Sequence, residues 1–268
     1  MAEQARESLR LRIVSGLILA PAVIVLVWLG GWFFAGLTMV AAVVMNWEWD
    51  RLCGGSGRSA YVWLLGGAIA GVLVTFHLGM PVWSLGFAAA GIVVGVSKAA
   101  AGGGAWMLLG TVYIIAPCVA LMWLRAEPTM GLATVIWLLV VVWATDTGAY
   151  FFGRAIGGPK MAPRISPNKT WAGLIGGAGT AALIGIPAGY LTGTQNYMNL
   201  VASGAVLAVI GQVGDVFESS IKRRFGVKDS GNIIPGHGGL FDRLDSLLLV
   251  AVVYAAMMVL SDGISVWR

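Results

Sequence analysis

Charge is scarce in this chain: 12 acidic and 17 basic side chains make up 11% of its 268 residues, where a soluble protein carries about 25%. With 58% of the residues hydrophobic, the chain cannot hide its apolar surface inside one aqueous core, and a large soluble domain is excluded. Cysteine is nearly absent too. Cys53 and Cys118 fall at the end of one apolar run and inside another, which excludes a disulfide framework and leaves two free thiols. No small-residue cleavage site follows the apolar run after MAEQARESLRLR, so that segment reads as an uncleaved first span.

What the chain has instead is apolar length. Low-charge runs lie at 13–30, 31–47, 60–77, 80–97, 103–124, 130–151, 171–192, 198–216 and 244–261, each near the roughly 20 residues a membrane-crossing helix needs. The fold expected is all-α: a polytopic integral membrane protein of about nine transmembrane helices. Leu78, Gly79 and Met80 join the third and fourth so tightly that a hairpin is implied. If the N-terminus is cytoplasmic, all of the 17 Lys and Arg except Arg125 and Arg268 fall in inside segments, as retention of positive charge requires. The basic excess is thus topological, and no nucleic-acid partner is expected. Residues 1–125 form a scaffold of helices 1–5, and residues 126–268 hold helices 6–9 with the polar cytoplasmic loops.

Glycines are plentiful. Gly67 with Gly71 and Gly185 with Gly189 are spaced for close helix approach, and the cluster Gly173, Gly176, Gly177 and Gly179 reads as packing, since no strand precedes it as a nucleotide-binding loop would require. Trp28, Trp32, Trp47, Trp49 and Trp267 are expected as interfacial anchors. His77, at the outer end of a span, is expected to be solvated.

Two loops carry more than orientation demands. From Gly214 to Asp245 the chain reads GDVFESSIKRRFGVKDSGNIIPGHGGLFDRLD. On a helix leaving the membrane, Asp215, Ser219 and Lys222 share one stripe. Asp242 and Asp245 share another, with Arg243 beside them. Carboxylates near a bilayer are costly and mark function. Two such clusters suit a hard divalent ion such as Mg²⁺, and Lys222, Arg223, Arg224 and Lys228 complement a polyphosphate. His237 stands in a glycine-rich turn able to meet an anion or pass a proton. In the second loop, Asp146 interrupts the sixth span, and Ser166, Pro167, Asn168, Lys169 and Thr170 read as a phosphate-binding turn entering the seventh.

The segment Ser219 to Asp245 resembles the signature of phosphatidate cytidylyltransferases: S-x-I-K-R, then K-D-x-G, then I-P-G-H-G-G-L-x-D-R-L-D. The preceding D-x-F-E-S and the upstream Asp146, Ala149, Tyr150 with Ser166, Pro167, Lys169 and Thr170 are similar to further motifs of that family. One position departs: Ala172 stands where many members have Glu. The resemblance implies CTP and phosphatidic acid from the inner leaflet as substrates, pyrophosphate as by-product, essential Mg²⁺, a second monovalent cation such as K⁺, and a bacterial inner-membrane enzyme whose site faces the cytoplasm. Within it, Asp215 and Asp242 are assigned to the metal, with Asp245 as a further ligand or as an acceptor behind the ligands. Lys222 joins them in catalysis. Asp146, Ser166, Lys169, Ser219, Arg223, Lys228, His237 and Arg243 are assigned to the substrates. A homodimer is compatible with this reading. A secondary transporter would place its polar residues near the bilayer midplane with inverted repeats, and neither is seen in the sequence.

Overall fold

Among the described residues, nine α-helices and one short β-ribbon account for nearly all regular structure. They are α1 (Ala2–Leu29), α2 (Gly31–Leu52), α3 (Ala60–His77), α4 (Pro81–Lys98), α5 (Trp106–Ala126), α6 (Gly131–Ile156), β1 (Lys160–Ala162), β2 (Ser166–Thr170), α7 (Trp171–Thr192), α8 (Tyr197–Arg224) and α9 (Phe241–Leu260). This computed structural model describes residues 2–100, 105–194, 196–261, 266 and 267, and of 2–10, 12 and 13 the helix without its side chains. Residues 103 and 104 of the fifth run, Arg268, and the side chains of Arg6, Arg10 and Arg12 therefore lie outside the described residues.

Among the described residues seven helices, α3 to α9, are long and apolar enough to cross a membrane. Of the expected first two spans, α1 is described with a continuous run of side chains only over the apolar stretch Val14–Leu29, and α2 ends on Asn46, Glu48, Asp50 and Arg51. Large apolar side chains stand outward along the candidate spans, among them Val82, Trp83, Leu85 and Val93 on α4 and Leu191 on α7. Hydrocarbon satisfies such a surface and water does not. The chain is a multi-pass membrane protein.

By its contacts the chain forms two compact units, one of residues 1–122 with 224–244 and one of 123–223 with 245–268. In the first, α1 packs on α2, α2 on α3, and α3 on α4. The hairpin between α3 and α4 turns at Gly79, whose φ of 69° suits glycine, and Pro81 opens α4 at a position where its missing N–H costs nothing. Gly71 meets the Phe87 ring, whereas Gly67 meets nothing, so half of that small-residue pair is open surface. Trp49 is not an interfacial anchor. It is buried, donates its indole N–H to the Trp106 carbonyl at 2.9 Å and lies against the rings of Tyr113 and Phe241. His77 is half-buried, with its ring edge-on to Trp32 at 4.3 Å.

In the second unit α6 and α7 pack most closely, and the glycine cluster is the reason. A Cβ on Gly177 would stand 2.7 Å from the Thr145 carbonyl oxygen, and one on Gly173 would stand 2.9 Å from that of Ala149. Gly185 and Gly189 likewise admit Val201 and Tyr197 at the start of α8. Trp267, expected at an interface, is buried and donates to Thr134 Oγ1 at 3.0 Å. The segment expected as a turn, Ser166 to Thr170, is instead strand β2, antiparallel to β1 with Lys160 opposite Thr170 and Ala162 opposite Ser166. Pro163 sets the intervening turn, closed by the Ile165 N–H on the Ala162 carbonyl at 3.1 Å. Thr170 then caps α7, accepting the Gly173 N–H at 3.0 Å.

Candidate active site

Helix α8 carries Asp215, Ser219 and Lys222 on one stripe, as its sequence implies, and α9 meets it at this level because of glycine. A Cβ on Gly214 would lie 2.8 Å from the Asp245 carbonyl oxygen, and one on Gly211 3.5 Å from Ser246 Cβ. This approach brings Asp245 within electrostatic reach of Asp215, of Asp146 on α6, and of Lys222. Asp245 Oδ1 also accepts the Ser246 N–H at 2.6 Å.

The β-ribbon supplies the cation. Lys169 Nζ lies 2.6 Å from Asp215 Oδ2, both side chains largely enclosed, and Ser219 Oγ donates to Asp215 Oδ1 at 3.2 Å. The Lys222 ammonium lies 2.8 Å from Glu218, one turn back on α8, whose side chain is only 1% exposed. The cluster therefore sets four carboxylates (Asp146, Asp215, Glu218, Asp245) against two ammonium groups (Lys169, Lys222), a formal charge that a divalent cation would balance. Arg223 is exposed and donates Nε–H to the Ile165 carbonyl at 3.2 Å, tying the end of α8 to the ribbon. Ser166 opens β2 half-buried.

Three more of the expected substrate residues lie together in the first unit. Lys228, His237 and Arg243 line one cavity of about 580 Å³ with Asp229, Asn232, Ile234, Pro235, Gly236 and Gly238. Gly236 and Gly238 have φ of 75° and 84°, so this turn requires glycine. His237 Nδ1 lies 2.8 Å from Ser15 Oγ, which also reaches the Pro235 carbonyl at 3.2 Å. Asp242, expected on the metal, holds this loop: its carboxylate accepts the Ser230 N–H at 2.9 Å and the Gly239 N–H at 2.9 Å.

The model of the cytidylyltransferase family matches residues 10–261. The chain belongs to that family. Among its cytidylyltransferase relatives, the phosphatidate cytidylyltransferase of Brucella suis biovar 1 is 36% identical over 249 residues, 92% of each chain. That of Pseudomonas aeruginosa is 34% identical over 275 residues, 93% of this chain and 97% of its own. That of Staphylococcus haemolyticus is 42% identical over 147 residues, 54% of this chain and 55% of its own.

Sequence reasoning missed two members of this cytidylyltransferase's polar centres. Glu218 stands in the sequence only as part of the D-x-F-E-S motif, and Glu48 carries the same signal as Asp146, a carboxylate at the end of an apolar run. Glu48 is fully buried, accepts the Leu240 N–H at 2.9 Å and the Phe241 N–H at 2.8 Å, and takes the Ser230 hydroxyl at 3.4 Å.

Proposed function

We propose that this chain transfers the cytidylyl group of CTP to phosphatidic acid, giving CDP-diacylglycerol and pyrophosphate. The observation that carries the reading is the Lys169–Asp215 pair with Asp245 alongside: carboxylates and an ammonium where phosphates and a metal ion must be neutralised. A phosphatidate oxygen attacks the α-phosphorus of CTP, a new P–O bond forms, and the bond to the β-phosphate oxygen breaks. The lipid is the nucleophile, so no activated serine or cysteine is required. Catalysis then rests on alignment and on charge neutralisation.

Among the described residues no three His, Cys, Asp or Glu side chains stand as a ready metal cage. Mg²⁺ does not need one, since one or two carboxylates plus substrate phosphates commonly hold it. Asp215 and Asp245 offer the right hard oxygens and the excess negative charge, so the donor set fits, with Asp146 close by. Mg²⁺ held there would draw charge from the leaving pyrophosphate oxygens. Lys169, Lys222 and Ser219 would meet phosphate, while Lys228, His237 and Arg243 hold the polyphosphate in their cavity. Ser166 and Arg223 contribute beside the ribbon. Asp242 is given the loop to hold, because its oxygens already accept backbone N–H groups. A monovalent cation such as K⁺ belongs to the proposal without an assigned ligand.

In the same reading all nine helices cross the bacterial inner membrane from a cytoplasmic N-terminus. CTP reaches the polar loops from the cytoplasm and phosphatidate enters laterally from the inner leaflet, and a homodimer is the proposed assembly. Purified protein in detergent is expected to release pyrophosphate only when CTP, phosphatidic acid and Mg²⁺ are all present, with CDP-diacylglycerol formed in equal amount. Turnover of CTP that needs a lipid alcohol in place of phosphatidate would overturn the assignment in favour of a CTP-dependent lipid kinase.

A further inference from the structure

We propose that Glu48, in the last turns of α2, is a positioning residue for polyphosphate binding: it fixes the wall of the cavity lined by Lys228, His237 and Arg243. The inference rests on the proposed function only in taking that cavity as the polyphosphate site. Glu48 does not line the cavity. It stands behind the loop, with one carboxylate oxygen on the Leu240 N–H and the other on the Phe241 N–H and the Ser230 hydroxyl.

Those two amides belong to Leu240, just before α9, and to Phe241, its first residue, orphan donors at the positive end of a helix. A buried carboxylate satisfies both, and the helix start satisfies the carboxylate, which could not otherwise remain buried and charged. Asp242 holds the same loop through Ser230 and Gly239. The segment from Ser230 to Asp242 is therefore pinned at both ends, and its middle, Ile234 to Gly238, forms the cavity wall.

The loop sequence is shaped around Glu48. A Cβ at Gly231 would stand 2.7 Å from Glu48 Oε1, and one at Gly239 would collide with Ser230 Oγ and stand 2.7 Å from that carboxylate oxygen. Neither glycine has a positive φ, so backbone freedom does not account for them. Room for the carboxylate and for the Ser230 hydroxyl it holds does. A residue of the N-terminal helices, which the sequence offers as scaffold, thus acts on the substrate cavity through the loop.

The test compares Glu48→Gln with the intact chain in detergent, reading three quantities: pyrophosphate affinity, KM for CTP against kcat, and hydrogen exchange at Leu240 and Phe241. Glutamine keeps the size but removes the charge and turns an NH₂ toward an N–H donor. The two hydrogen bonds from the Leu240 and Phe241 amides are at stake. We expect pyrophosphate affinity to fall and KM for CTP to rise about ten- to a hundredfold, with kcat held within about threefold. The two amides should exchange faster. Gly231→Ala, which displaces the loop from an intact Glu48, should raise KM in the same way and guards against a Glu48 variant that fails to fold. Unchanged pyrophosphate affinity in both variants overturns the proposal, whatever the exchange. A fall in kcat and thermal stability with KM unchanged also overturns it, in favour of a purely structural role. If the intact chain binds pyrophosphate but turns over no CTP, the proposed function falls while the affinity and exchange arms still decide the role of Glu48.

Discussion

Replacing Gly214 by alanine tests how the carboxylate cluster is built, because the change adds one methyl and touches no charged group. That methyl would stand 2.8 Å from the Asp245 carbonyl oxygen and 3.2 Å from Leu249 Cβ. Ordinary contact begins near 3.4 Å, so the start of α9 must retreat by roughly half an ångström, and both neighbours are backbone or Cβ atoms that cannot swing aside. Helix α9 carries Asp245 with it, away from Asp215 on α8. Displacements of about 1 Å at reacting groups cost on the order of a hundredfold in rate, so a retreat of half that size should cost about tenfold in kcat. Overpacking should cost about 1–3 kcal/mol of stability. The assay is CDP-diacylglycerol formation at saturating CTP and phosphatidate, over a Mg²⁺ series, beside a thermal melt in detergent. A shifted Mg²⁺ dependence with reduced kcat is expected. Full kcat at unchanged Mg²⁺ requirement, in a folded variant, would refute the claim that glycine sets the spacing of the two carboxylates.

Three further outcomes follow from the site and its surroundings. Asp215→Asn should abolish activity while membrane insertion and abundance stay near those of the intact chain, and loss of the folded protein instead would assign Asp215 a structural role. Asp50→Ala should destabilise the first unit by about 3–5 kcal/mol in a detergent melt, because it strands Lys98, whose ammonium lies 2.6 Å from an Asp50 side chain only 4% exposed; Asp50→Ala with Lys98→Met should recover much of that loss. Burial first, and then the neighbouring Asp50 charge against the partial relief of Lys98, pushes the Cys53 thiol up to about 12. At pH 8 its thiolate fraction is then about one in ten thousand, against roughly a quarter for an ordinary thiol. Maleimide or iodoacetamide should label it about a thousandfold more slowly than a free thiol at that pH, and labelling within tenfold of the free rate would contradict the enclosed position.

The helices were legible because a membrane imposes a length and a composition, and both are written along the chain: the expected runs 60–77 and 171–192 coincide with α3 and α7. Asp215, Ser219 and Lys222 were legible for a similar reason, since helical spacing alone puts them on one stripe. What could not be read is who meets whom across long sequence separations. Lys169 reaches Asp215 from a ribbon whose strand, Ser166 to Thr170, reads in the sequence as a turn. Trp49 and Trp267 looked like anchors because they flank apolar runs, but each finds a buried hydrogen-bond acceptor that periodicity cannot forecast.

The bond between Glu48 and the Phe241 amide spans 193 residues, and that separation sets an order on biosynthesis. At about 5–20 residues per second, roughly 10–40 s pass between translation of the carboxylate and arrival of the amides that will cover it. During that interval the end of α2 holds an acid with no helix start to receive it, so it must stay near water or a headgroup before it can be sealed inside. The cavity lined by Lys228, His237 and Arg243 is consequently among the last features to form, and a chain stopped before α9 would carry most of its apolar helices and no finished wall for that cavity.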